Sequence, residues 1–123
     1  MKTIETKSAP AAIGPYSQAI LANGFLYTSG QIPLNPESGT IEAAGIEEQS
    51  EQAIKNLGEI LKAAGSDFSK VVKTTCFLAD IKDFAAFNAV YEKYFVSKPA
   101  RSCVEVGALP KGALVEIEAI ALA

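Results

Sequence analysis

Arg101 follows a Pro99-Ala100 bend and opens a run of strand-forming residues. Its planar guanidinium fork is well suited to gripping a carboxylate through two parallel bonds. With 14 acidic residues in the chain, an ordinary ion pair is the competing use. Period-two geometry puts Cys103 and Glu105 on the same side as Arg101. Glu116 and Glu118 share one face of a later strand, with alpha carbons roughly 6.5 to 7 Å apart. Alternating glutamates ordinarily mark a solvated face. Here Leu114, Ile120 and Leu122 keep them company, and a carboxylate in apolar surroundings is either paired or kept for a purpose. Tyr16 sits at a bend after Gly14-Pro15, readable as a core aromatic with a satisfied hydroxyl or as a site residue. In Ser29-Gly30-Gln31 the glycine lets a ligand approach the backbone. Asn88, inside a helix rich in Phe and Tyr, serves equally as an interface amide or a ligand group.

The chain contains no histidine. That removes Ser-His and Cys-His nucleophile pairs, histidine-containing zinc sites and histidine acid/base chemistry. Two cysteines cannot alone make a structural zinc site, and no clustered acidic loop of the calcium type is visible, so no metal is expected. Cys76 reads as a small core residue. Cys103, with no His or helix N-terminus evident near it, is not expected to be a nucleophile, and both thiols are read as reduced. Cofactor-free chemistry by Arg, Glu, Tyr and backbone amides remains. The net charge of −3, with no two Lys or Arg adjacent, leaves little from which to build a phosphate-tracking surface, so nucleic acid is not an expected partner. Residues 1–10 lack the apolar stretch of a secretory signal, and no segment approaches the roughly 20 apolar residues of a membrane span. A cytoplasmic protein with no membrane association is the expectation.

The elements that must position these residues can be read from pattern. A chain of 123 residues suits one domain, taken as 1–123, with a single core. Ser17 to Ala22 and Phe25 to Ser29 flank Asn23-Gly24, the strongest short signal for a two-residue hairpin turn. Gly30 to Gly39, with Pro33 and Pro36, reads as a loop. Ile46, Ala53, Ile54, Leu57, Ile60, Leu61 and Ala64 keep helical spacing, and Gly65 caps their helix. Val71 to Ala79 predicts a strand. Asp83 would N-cap a second helix, with Phe84, Phe87, Tyr91 and Tyr94 or Phe95 facing inward. Ser102 to Val106 and Ala113 to Leu122 complete the strands. The order strand, strand, helix, strand, helix, strand, strand gives an α+β sheet with two helices on one face. On the last strand, Val115, Ile117, Ala119 and Ala121 project one way and Leu114, Glu116, Glu118, Ile120 and Leu122 the other. Both faces are apolar and two helices cover only one, so a homo-oligomer is inferred.

Several motifs occur in order: Ala11-Ala12-Ile13-Gly14-Pro15-Tyr16-Ser17-Gln18, Thr28-Ser29-Gly30-Gln31-Ile32-Pro33, Pro99-Ala100-Arg101-Ser102-Cys103-Val104-Glu105-Val106, Leu109-Pro110 and Val115-Glu116-Ile117-Glu118. Val72-Lys73-Thr74-Thr75 and Asp83-Phe84 with Asn88 agree with them. Across nearly the whole chain the sequence resembles the Rid (YjgF) family. The resemblance implies a chorismate-mutase-like mixed sheet with two helices on one face, assembled as a homotrimer with a ligand cleft at each subunit interface. It also implies, for the RidA subgroup, hydrolysis of 2-aminoacrylate, 2-iminopropanoate and 2-iminobutanoate to 2-keto acids and ammonia. By the same resemblance Arg101 holds the substrate carboxylate, Glu116 positions or activates water, and Glu118 has no comparable role. Tyr16, Asn88, Gly30 and Cys103 line the cleft, the last two chiefly through backbone groups. Gly107-Ala108 departs from the Ala-Arg common among close relatives, a change expected to touch packing or substrate preference. An imino acid needs no cofactor, because its protonated C=N carbon is already electrophilic. A binding or holdase-type module using the same cleft without turnover is the competing reading. A ribonuclease is disfavoured by the acidic balance and the missing histidine.

Overall fold

The Asn23-Gly24 turn has both residues at positive φ, 52° and 79°, as a tight hairpin between right-twisted strands requires. It joins β2 (Ala19–Ala22) to β3 (Phe25–Thr28) in antiparallel register, with Ala22 opposite Phe25. The computed structural model describes all residues, 1–123, and adds a strand that the pattern does not announce, β1 (Lys2–Ile4), paired to β2 at the sheet edge. α1 (Ile46–Ala63) follows, then β4 (Val71–Leu78), α2 (Phe84–Tyr94), β5 (Ala100–Glu105) and β6 (Val115–Leu122). The six strands lie in the order β1-β2-β3-β6-β4-β5. Only β4 and β5 run parallel; the other pairs are antiparallel.

α1 ends in a Schellman motif. Gly65, at φ 77°, donates to Lys62 O at 3.0 Å and Ser66 N to Leu61 O at 2.8 Å, satisfying carbonyls that the last turn would leave bare. Its apolar stripe, with Ala53, Ile54, Leu57, Ile60 and Leu61 fully buried, packs with Phe87, Val90, Tyr91 and Phe95 of the α2 region over one face of the sheet. Val115, Ile117, Ala119 and Ala121 of β6 meet them there. Each fully buried Leu or Phe contributes roughly 1.5 to 3 kcal/mol relative to exposure. The opposite face has no helix over it and exposes Phe25, Tyr27, Val104 and Leu122. The mixed α+β architecture with both helices on one side is therefore as expected.

Two local expectations are corrected. Asp83 occupies the N-cap position of α2 but makes no side-chain cap bond. The chain enters the helix through a 3-10 turn at Ile81–Asp83, and Asp80 caps that turn by accepting from Lys82 N at 2.9 Å. Phe84 is not part of the inward stripe: it is exposed, at the start of α2 beside Arg101. No helix is long and apolar enough to cross a membrane.

Candidate active site

Glu116 leaves β6 on the helix-free face and forms part of the lining of a groove of about 560 Å³. One wall is the segment before β2, with Pro10, Ala11, Ile13 and Tyr16; the other is the segment after β3, from Ser29 to Ile32. Side-chain amides hold both walls. The buried Gln18 accepts from Thr6 N at 2.7 Å and donates to Thr6 O at 3.0 Å and Pro10 O at 2.7 Å, pinning the first wall against β2. Ser29 joins the walls, its hydroxyl donating to Ser17 O at 2.5 Å and its amide to Gln18 O at 2.8 Å. From α1, Asn56 donates to Ile32 O at 3.1 Å and Leu34 O at 2.9 Å while accepting from Gln52 at 2.8 Å.

Gln31 and Ile117 exchange backbone hydrogen bonds, 2.7 and 3.0 Å, which lays Gly30 directly against the Glu116 side chain. A Cβ at position 30 would overlap the carboxylate, with Cδ only 2.7 Å and Cγ 2.9 Å away. The glycine is needed here for proximity and not for an unusual backbone angle. Burial is the main cause that pushes the Glu116 carboxyl above its ordinary value, and the neighbouring charge of Glu118 adds to it. A carboxyl so placed binds a proton more readily than a solvated one, which suits a group that must accept one from water. Glu118 shares the face but does not line the groove. Tyr16 is not a core aromatic: its side chain is 53% exposed, and its hydroxyl accepts from Ile13 N at 3.4 Å.

Arg101 belongs to a second cluster. It lies inside β5, an edge strand, and donates to Asn88 Oδ1 on α2 at 2.7 Å. Its guanidinium carbon stands 4.8 Å from the Tyr91 ring centre and 5.4 Å from that of Phe84. Asn88 thus aims the fork while two rings support it. Cys103 is two residues further along and pairs in register with Cys76 of β4. Its neighbour Cys76, whose own thiol donates to Thr74 Oγ1 at 3.9 Å, and the charge of Arg101 pull the Cys103 thiol below its ordinary value against the opposing effect of burial. Glu105 is engaged elsewhere, accepting from Ile81 N at 2.8 Å. Gly107 and Ala108 are exposed in the loop after β5, with open space where a Gly107 side chain would lie.

The two clusters do not meet within one chain. Arg101 pairs with Thr74 and Cys103 with Cys76, on the helix-covered face; Glu116 pairs with Phe77, on the other. Tyr16, Gly30 and Glu116 are brought together, as are Arg101, Asn88 and Cys103, but a sheet separates the groups. Sequence reasoning passed over Gln18, Asn56 and Gln31, which position the groove walls, and Lys111 at its lip. For Asn56 a signal existed: it falls in the buried stripe of α1 with Gln49, Ala53 and Ile60 at helical spacing, and a buried amide there must have partners.

Residues 6–123 match the family model described as Endoribonuclease L-PSP. A Lactococcus lactis protein named as a regulator, AldR, is 59% identical over 98% of this chain and 97% of its own. The Homo sapiens protein named 2-iminobutanoate/2-iminopropanoate deaminase is 55% identical over 98% of this chain and 89% of its own. Among solved structures, E. coli TdcF with bound serine superposes with a TM-score of 0.95 at 42% identity, covering all of this chain and 99% of that one.

Proposed function

The chain belongs to the Endoribonuclease L-PSP family, the Rid (YjgF) family its motifs resemble, and we propose that it is a deaminase hydrolysing short 2-imino acids to 2-keto acids and ammonia. The observation that carries this reading is Glu116, a half-buried carboxyl with a raised proton affinity, held against the Gly30 backbone at a groove bordered by Tyr16. The deaminase name of the human relative, and the serine bound by the E. coli one, point to a small ligand carrying a carboxylate.

In this mechanism Arg101 binds the substrate carboxylate through its fork. A charge-assisted contact of that kind is worth roughly 1.5 to 3 kcal/mol. Glu116 takes a proton from water as the water oxygen bonds to the electrophilic C=N carbon. The proton then passes to the nitrogen; as the carbinolamine oxygen forms the keto C=O the C–N bond breaks, ammonia leaves, and the hydroxyl proton is taken up by Glu116. Positioned proton transfer contributes about 10² to 10⁴ in rate. Tyr16 closes the groove, and Gly30, Cys103 and Asn88 complete the substrate's surroundings.

Since Arg101 and Glu116 lie on opposite faces of one sheet, the reading requires two chains. The β5 edge of one subunit would supply Arg101, Asn88 and Cys103, and the groove of the next would supply Glu116, Tyr16 and Gly30. Two different patches meeting head to tail close into a ring, and three copies is the number we assign. Light scattering tests it: a monomeric mass at micromolar concentration removes the split site. The reducing cytoplasm suits its two unpaired thiols. The activity is tested by generating 2-iminobutanoate in situ with a threonine dehydratase and following keto acid formation. No acceleration over the spontaneous rate at micromolar protein would leave a binding module without turnover.

A further inference from the structure

We propose that Cys76 and Cys103 are a redox pair: a small peroxide oxidises Cys103, and Cys76 then closes a disulfide onto it. The two residues are direct register partners on the parallel strands β4 and β5, so their side chains leave the same face side by side. Neighbouring strands lie roughly 4.8 Å apart, within the 4.4 to 6.8 Å that separates the alpha carbons of bridged cysteines. The environments assign the roles. Cys103 is partly exposed on the edge strand, where on the reading above it lines a cleft that a molecule as small as a peroxide enters, whereas Cys76 is fully buried on an interior strand.

The electrostatics agree with that division. The adjacent Cys76 and the nearby Arg101 favour the Cys103 thiolate, and the closeness of Cys103 together with burial pushes the Cys76 thiol up. One sulfur is prepared to attack and its neighbour keeps the proton. The Cys103 thiolate attacks one peroxide oxygen: an S–O bond forms, the O–O bond breaks, and hydroxide leaves and is protonated to water. Cys103, now a sulfenic acid, has lost two electrons to the peroxide. The Cys76 sulfur then bonds to the Cys103 sulfur as the S–O bond breaks, and the departing hydroxide takes the Cys76 proton to become a second water. Beta carbons of bridged cysteines lie about 3.5 to 4.5 Å apart, closer than side chains standing straight across two strands, so the strands must pinch together. A disulfide under such strain is readily reduced, which makes the step reversible by a dithiol. The pinch acts on β5 two residues from Arg101, so on the reading of Arg101 given above the oxidised protein turns over more slowly.

The test uses the full chain treated with hydrogen peroxide, alkylated under denaturing conditions and weighed intact, then mapped by peptide. The wild type is expected to lose two hydrogens, resist alkylation and yield one peptide pair joining Cys76 to Cys103. Cys76→Val keeps a small apolar side chain in the core, and it should instead hold a Cys103 sulfenic acid that a 1,3-diketone such as dimedone traps. Equal dimedone trapping in both proteins with no joined peptide overturns the pair, as does a bridge between the Cys103 residues of two chains. These readouts do not involve imine turnover, so the pair stands or falls independently of the proposed activity. Turnover is followed beside them. It is expected to fall at least several-fold with the bridged fraction in the wild type and to return on adding dithiothreitol. Unchanged turnover in fully bridged protein would refute the effect on Arg101.

Discussion

A methyl group at position 30 occupies the space that the Glu116 carboxylate now fills. In Gly30→Ala the three heavy atoms nearest the new Cβ all belong to the Glu116 side chain and none to backbone. The nearest atom, Glu116 Oε2, lies only 1.9 Å from that point and must retreat by about 1.3 Å or more to reach ordinary contact near 3.2 Å. It can swing toward the groove of about 560 Å³, so the fold absorbs the change cheaply. We expect a stability loss under about 1 kcal/mol, since the cost of overpacking a rigid core does not apply, and a fall in Tm of no more than about 5 °C. Catalysis has no such tolerance: a misplacement near 1 Å costs about 10²-fold. Steady-state kinetics on 2-iminobutanoate should show kcat down by about 10 to 10², with calorimetry close to wild type.

Glu116→Gln removes the proton acceptor while keeping its shape, and should lower turnover by about 10² or more. If the Gly30 effect operates only through the carboxylate, the double variant Gly30→Ala/Glu116→Gln should be no slower than Glu116→Gln alone. A folded Gly30→Ala protein with wild-type kcat would refute the assignment of Glu116 as base at its present position. Additive losses in the double variant would show that Gly30 acts on the substrate directly.

Arg101→Lys should raise KM about tenfold or more with a smaller change in kcat, because a point charge cannot supply the two-pronged contact; substrate titration separates the two parameters. The raised proton affinity of Glu116 should shift the acid limb of the pH–rate profile upward from where a solvated glutamate would put it, and Glu118→Gln, by removing the adjacent charge, should move that limb downward while leaving maximal turnover near wild type. The same shift sets a sign for stability: a carboxyl whose folded pKa is raised loses its stabilising contribution as pH rises through that value, so Glu116→Gln should gain stability over wild type near neutral pH and not in acid, as thermal melts across pH would show. Mixing unfolded Arg101→Ala and Glu116→Gln chains and refolding them together should restore about a quarter of wild-type turnover, because in a randomly mixed head-to-tail ring that fraction of interfaces has both intact residues; no recovery in well-folded mixed oligomers would place the site within one chain.

The elements that could be read from sequence are those whose signal is local. Asn23-Gly24 names its own turn, because few residues accept two successive positive φ angles. The stripe of α1 and its Gly65 cap repeat one physical requirement many times over. β1 has only three residues and owes its existence to a partner, β2, so no pattern within it predicts pairing. The cap of α2 was misplaced for a related reason: Asp80 and Asp83 carry the same chemistry, and only the 3-10 turn between them decides which carboxylate is used. The candidate site follows the same division. Parity along β5 and along β6 was correct within each strand, grouping Arg101 with Cys103 and Glu116 with Glu118. What relates the two strands is β4, which lies between them and sets Arg101 level with Thr74 and Glu116 level with Phe77. That relation is tertiary, and it puts the arginine and the glutamate on opposite sides.

The uncovered sheet face and the divided site follow from one feature of the architecture. With both helices on one side, the other face keeps Phe25, Tyr27, Val104 and Leu122 in contact with water, an apolar patch that a soluble chain covers at a cost lower than leaving it bare. Glu116 and Glu118 lie on that same face, so whatever covers it must leave the groove open while removing water from its surroundings. A second copy set face to face by two-fold symmetry would bring groove to groove, and like carboxylates with them, but no arginine. Rotation about an axis that sets the β5 edge of one chain against the groove of the next would cover the patch and, on the reading proposed above, bring the Arg101 fork to the groove in the same contact. In such a ring each interface would hold one complete site, and the apolar area buried in assembly would also lower the local dielectric in which Arg101 and Glu116 act.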